Sequence, residues 1–310
     1  MTRCLFLVFL AGWSVLVSAR TETSYRRIRR ESVHLYYQES DRSFAEQAAE
    51  ILLGGLPGMQ SVLGVSKVPD IHVVVAESDA IFHRLTAGTV PDWGVGAADP
   101  GSGFIFLKSP RITAPHPDAH VIIRHELAHV LLGNATGGVP VSRWFDEGLA
   151  QFLSGERLFR PSIRLARTFA AGRPLYLDEI DDVLTFQKER AALAYETAHS
   201  AVSFLIQKHG EASIQLLVGE LAAGRTMDEA LRTVTGQDAR QFEGGWSEEM
   251  RRRYRWTILL DFPVFFSVAL VLLLAAAFWR TQARVRAKRR LWESETRDEI
   301  PDFEKDATLY

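Results

Sequence analysis

Two histidines four residues apart, His125 and His129, lie in an apolar stretch that can hardly fold as anything but a buried helix. Val121, Ile122 and Ile123 precede them, and Val130, Leu131 and Leu132 follow. On a helix, positions i and i+4 stand one above the other on the same face, so both imidazoles can reach one point. Glu126 is one step round the helix, beside that point but not aimed at it. Burying two imidazoles and a carboxylate is costly unless they are paired or hold a metal. The run His125-Glu126-Leu127-Ala128-His129 is H-E-x-x-H, in which the histidines hold an ion and the glutamate can take a proton from water.

A second segment, Trp144-Phe145-Asp146-Glu147-Gly148-Leu149-Ala150, places Glu147 eighteen residues after His129, on what reads as the next helix. Two histidines and one glutamate leave one of zinc's four positions open, the usual arrangement of a catalytic zinc. Asp146 alone would serve as the acid that a helix N-terminus favours. The only cysteine is Cys4, so any metal site further along must use histidine and carboxylate. The expected cofactor is one Zn2+ ion on His125, His129 and Glu147.

These residues make the chain resemble the gluzincin zinc metallopeptidases, whose third ligand is a glutamate on a following helix, and among them the peptidase MA-like family. Gly133-Asn134, Trp144 and Glu147-Gly148 add a likeness to the gluzincin aminopeptidases. The similarity spans about residues 93 to 210 and is weaker around Phe242 and Trp246. It implies an α+β, gluzincin-like zincin fold, with a strand-rich lobe over about 20–115 and a helical lobe over about 116–250. It also implies hydrolysis of peptide or protein substrates, with Glu126 as the base.

The developing oxyanion needs a donor beside the metal. Tyr195 and His199 are the candidates, since they share a helix face with Val202 and Ile206. Resemblance to the family's helical tyrosine favours Tyr195. Substrates of this clan lie along a sheet edge, and Gly103 to Leu107 is the expected edge. Two departures from the family pattern stand out. Aminopeptidases use a glutamate in a Gly-x-Met-Glu-Asn segment to hold the free amine, whereas Gly94-Val95-Gly96-Ala97-Ala98-Asp99 has none. That favours an endopeptidase or oligopeptidase over an aminopeptidase using Asp99; a catalytically silent binding protein is a third reading, against which every expected metal and base residue is present. Four residues after Glu147 stands Gln151 rather than an acid, so a carboxylate behind a zinc histidine must come from elsewhere.

The 310 residues carry a net charge of −2, which gives no support for nucleic-acid binding. Arg3, the apolar Cys4 to Val17 and the small residues Val17-Ser18-Ala19 read as a signal peptide over 1–19. Phe262 to Trp279 is eighteen residues without a charge, about 27 Å as a helix and close to the bilayer's hydrocarbon thickness. The expected layout is an exported domain over 20–255, a span over 262–279 and a cytoplasmic tail over 280–310, with lipid as a partner.

Within the exported part, Val33–Tyr37, Ile71–Val75, Gly94–Ala98 and Phe104–Leu107 read as strands. Asp99 to Gly103 joins the last two as a turn. Helices are expected from Asp41 to Leu53, from Asp118 to before Gly133, from Val141 to Leu153 and from Lys188 to His209. Thr226 with Glu229, and Asp238 with Gln241, are capping-box pairs that open two more.

Overall fold

The computed structural model describes residues 25–113, 118–155, 163–172, 174–185, 187–254 and 262–298. The expected leader over 1–19 and the tail after 298 lie outside them. The chain divides into two compact units after Arg252.

The first unit is a mixed α+β structure, mostly helical. Its first half runs β1 (Arg26–Arg30), β2 (Val33–Tyr37), α1 (Arg42–Leu63), β3 (Ile71–Ala76), α2 (Asp79–Leu85), β4 (Gly96–Asp99) and β5 (Phe104–Lys108). The second half runs α3 (Ala119–Ala135), α4 (Arg143–Ser154), α5 (Ile163–Ala170), α6 (Lys188–His209), α7 (Ala212–Ala222), α8 (Met227–Thr235) and α9 (Ala239–Tyr254).

The strands form one sheet in the order β1-β2-β3-β5-β4. The outer pairs, β1 with β2 and β4 with β5, are antiparallel, while β2-β3 and β3-β5 are parallel. Alternation decides the faces: Val33, Leu35, Ile71, Val73, Val75 and Ile105 are wholly buried on the side where α1 and α3 pack. His34, Tyr36, His72, Phe104 and Phe106 stack along the other face.

The order corrects the expected edge. The run Gly103 to Leu107 holds β5, which is paired on both sides, and the edge strand next to it is β4. The Asp99 turn folds β4 back on β5, with Asp99 accepting from the Gly101 amide (3.2 Å) and from the Ser102 hydroxyl. The parallel crossover from β3 then takes the apolar strand, Phe-Ile-Phe-Leu, and leaves Gly-Ala-Ala-Asp outside.

Of the expected helices, α6 keeps both bounds, α4 starts at Arg143 rather than Val141, and α1 and α3 run past their expected ends. Asp118 caps α3 through the His120 amide (3.0 Å), and the Thr226 capping box opens α8. The Asp238 and Gln241 pair closes reciprocally ahead of α9. The expected end of α1 at Leu53 is passed by ten residues, through Gly54, Gly55 and Pro57, because Leu56, Met59 and Leu63 continue its buried face. The helix α3 likewise runs past Gly133 to Ala135.

Three helices carry the centre of the unit, α4 between α3 and α6. Contact with α6 is close because Gly148 has no side chain. A methyl there would fall on the Ala198 carbonyl oxygen and lie 2.8 Å from Val202 Cγ2. From α9, Phe242 stacks on Trp144 of α4 at 5.6 Å, and Trp246 donates to Ser200 Oγ of α6 at 3.0 Å.

The second unit contains one long helix, α10 (Phe262–Asp298). It is long and apolar enough to cross a membrane by length and composition. It does not stop at Trp279 but continues through the basic stretch.

The close contact of α4 with α6 makes Gly148→Ala an overpacking substitution. It should destabilise the protein by about 1–3 kcal/mol, read as a lower denaturation midpoint with an unchanged slope. A midpoint equal to that of the parent would mean that α4 and α6 are not in close contact.

Candidate metal centre

The helix α3 puts His125 and His129 one turn apart, with ring centroids 4.7 Å apart and planes at 80°. Their Nε2 atoms face each other at 3.1 Å. The first turns of α4 bring Glu147 up to them, with Oε2 at 3.3 Å from His125 Nε2 and 3.6 Å from His129 Nε2. The three ligand atoms lie within 4.8 Å of one another.

Glu147 Oε2 is buried and has no hydrogen-bond partner. A native structure rarely leaves a buried carboxylate oxygen in that state. Two imidazole nitrogens and one carboxylate oxygen converging on a single point are the donor set of a four-coordinate zinc, so these residues fit the ion. Burial pushes the Glu147 carboxyl up, but the two imidazoles outweigh it and hold the group below the ordinary carboxylate range.

Asp146 stands behind His129, its Oδ1 2.6 Å from Nδ1. A carboxylate there accepts a hydrogen bond from Nδ1–H and so turns the Nε2 lone pair toward the metal point. Burial lowers the His129 pKa, and Asp146 more than reverses this, leaving it well above the ordinary value. The acid missing at Gln151 is therefore supplied by the residue just before Glu147. Arg143 opens α4 and lies beside both acids, Nε 3.6 Å from Glu147 Oε1 and Nη1 3.6 Å from Asp146 Oδ2.

Glu126 is buried next to the metal point. Burial pushes its carboxyl up, with His125 and His129 pulling the other way. The edge strand lies directly over it, since a methyl on Gly96 would sit 2.8 Å from Glu126 Oε1 and 3.0 Å from its Cγ. Only glycine lets the strand approach so closely.

Tyr195 is half-buried on α6. Burial raises its phenol far above the ordinary value, and the Glu147 charge raises it further, while Arg143 opposes. His199, one turn further on, is lowered by burial alone. The structure thus brings Tyr195 into the field of the site's charges and shows no such coupling for His199.

Asp146 and Arg143 are the residues that sequence reasoning missed. Asp146 was legible only as a helix N-terminal acid. The signal for Arg143 was its i+3 and i+4 spacing to the two acids, which is common on solvated helix faces.

No curated protein matches the chain. The His125, His129 and Glu147 cluster has the geometry of an H-E-x-x-H and glutamate zinc site, and residues 113–252 match the family model of the peptidase MA superfamily. Over those residues the chain is similar to the peptidase MA superfamily.

Proposed function

We propose that the protein is a membrane-anchored zinc peptidase of the gluzincin kind with a zincin fold, cutting peptides internally. The observation that supports this most is the unpartnered Glu147 Oε2, facing two imidazoles beside a buried Glu126 and under a sheet edge. His125, His129 and Glu147 hold one Zn2+, which when bound supplies Lewis acidity toward water and the scissile carbonyl. Glu126 takes the water proton and passes it to the leaving amine. Its raised affinity for that proton suits both steps. The Tyr195 phenol keeps its proton in this setting and donates to the oxyanion; His199 is the second candidate for that role.

The substrate adds to the free side of β4 as a further strand, bound through main-chain groups. Gly96, Ala97 and Ala98 offer almost no side chain to select sequence. Asp99 is engaged by the Gly101 amide and Ser102, which argues against its holding a substrate amine and for internal cleavage. In this reading residues 1–19 form a signal peptide, the domain over 20–255 is exported, 262–279 spans the membrane and 280–310 lie in the cytoplasm.

Glu126→Gln should keep one bound zinc and lose hydrolysis, whereas His129→Ala or Glu147→Ala should lose the metal. Zinc analysis alongside cleavage of peptides with blocked amines reads both effects. Activity that survives both chelation and Glu126→Gln would end the peptidase reading, and cleavage only of unblocked peptides would make the enzyme an aminopeptidase.

Tyr195→Phe should leave zinc in place and lower kcat by about 10²–10³, the usual loss for one oxyanion donor. If His199→Ala gives that loss and Tyr195→Phe does not, the donor is His199.

Four positive charges, Arg251, Arg252, Arg253 and Arg255, precede the apolar run, and seven, Arg280, Arg284, Arg286, Lys288, Arg289, Arg290 and Arg297, follow it. The bias favours an internal C-terminus. A protease added outside intact cells should digest the metal domain and spare a tag placed after Tyr310. The opposite pattern would invert the topology and put the substrates in the cytoplasm.

A further inference from the structure

The two acids of α4, Asp146 and Glu147, both face the centre. Asp146 and Glu147 each use one oxygen inward: Oδ1 toward His129, and Oε2 toward the metal point. Each leaves its second oxygen to be held from outside. Arg143 lies 3.6 Å from both of those second oxygens, through different nitrogens of the same guanidinium. Its main chain is tied at this point, because its backbone amide donates to Asp181 Oδ1 of the 3-10 helix Asp178–Thr185 at 3.2 Å. Its side chain is only 30% exposed, so screening by solvent is partial.

We infer that Arg143 is the positioning residue of the metal centre, a single guanidinium that fixes the rotamers of Glu147 and Asp146 together. This rests on the zinc reading above. Arg143 does not touch the metal point. By holding Oε1 it turns Oε2 of Glu147 inward, and by holding Oδ2 it turns Oδ1 of Asp146 onto His129. A planar, forked cation can meet two acids at once, whereas an ammonium acts as a point charge.

The test is zinc affinity of the full-length protein in detergent, measured by competition with a chelator, with the visible spectrum of the cobalt-loaded protein as a geometric readout. Arg143→Ala should weaken zinc binding about 10- to 100-fold, as loss of an outer partner of a metal ligand does, and should change the cobalt bands. Arg143→Lys should recover part of the affinity, because it restores the charge without the fork. Arg143→Lys, which keeps the charge, should leave the melting temperature of the metal-free protein unchanged while zinc binding weakens, a split that a merely structural arginine would not give. Should Arg143→Ala fail to fold, Arg143→Lys carries the test alone through weaker zinc binding and altered cobalt bands. Wild-type affinity and spectrum in either variant would overturn the inference. His129→Ala separates the two readings. If it loses zinc while Arg143→Ala does not, only the role of Arg143 falls; if it binds zinc as the parent does, the zinc reading falls and this role with it.

Discussion

Three carboxylates and two imidazoles are packed together, largely buried, where α3 meets α4, and the helical half of the fold keeps them together. Two like charges about 4 Å apart repel by about 4 kcal/mol at an effective dielectric of about 20. An apolar core of the same volume would be easier to build. The compensation is local and specific. Asp146 is bonded to His129, Arg143 lies beside both acids of α4, and burial pushes Glu126 toward its neutral form. What these leave uncompensated is one oxygen, Glu147 Oε2. A single acceptor facing two nitrogens is a set of atoms that could hold a cation.

Two small residues set the distances on which that chemistry depends. Gly148 follows Glu147 directly, so the turn of α4 that delivers the third ligand is also the turn that meets the Ala198 carbonyl of α6. The same approach that fixes Glu147 therefore fixes the helix carrying Tyr195. Gly96 acts on the other side, letting the edge strand lie against Glu126. A substrate strand added to β4 would then pass over the base without any side chain to hold it off. Edge strands invite such pairing, and this one is four residues long and made of small side chains, so little besides a chain in extended form is selected.

Features fixed by local chemistry could be read from the sequence. The helix α6 runs from Lys188 to His209 as expected, because Gly210 ends it, and both capping pairs close as their spacing requires. The i, i+4 histidines and the acid on the next helix belong to this class too. Features set by partners distant in sequence could not be read. Arg-Arg-Ile-Arg-Arg has no apolar alternation, yet it forms β1 by pairing with β2, with Arg27 over Tyr36 and Arg30 paired to Glu50. The position of β5 inside the sheet depends on a crossover that no local pattern encodes. Arg143 and Asp146 look like solvated helix-end charges until α3 brings His129 against them. Only tertiary contact distinguishes a brace from a surface ion pair.

The continuous α10 bears on the proposed span through its charges more than through its apolar length. No glycine or proline interrupts it from Val264 to Asp298, and its residues after Trp279 are mostly good helix formers. At 37 residues it is about 55 Å long, well beyond a hydrocarbon core of about 30 Å. The excess carries Arg280, Arg284 and Lys288 at successive i+4 positions, and Arg286 and Arg290 likewise. Such pairs repel by about 0.2–0.5 kcal/mol each on a helix in water. Opposite pairs at that spacing come only at its far end, Arg289 with Glu293 and Glu293 with Arg297, and they share a single acid. An anionic leaflet reverses the sign, since each basic residue near it gains about 1 kcal/mol. A core helix would have no use for six cations directly after its apolar face, whereas a span that leaves the bilayer on its cytoplasmic side has a surface there to meet them.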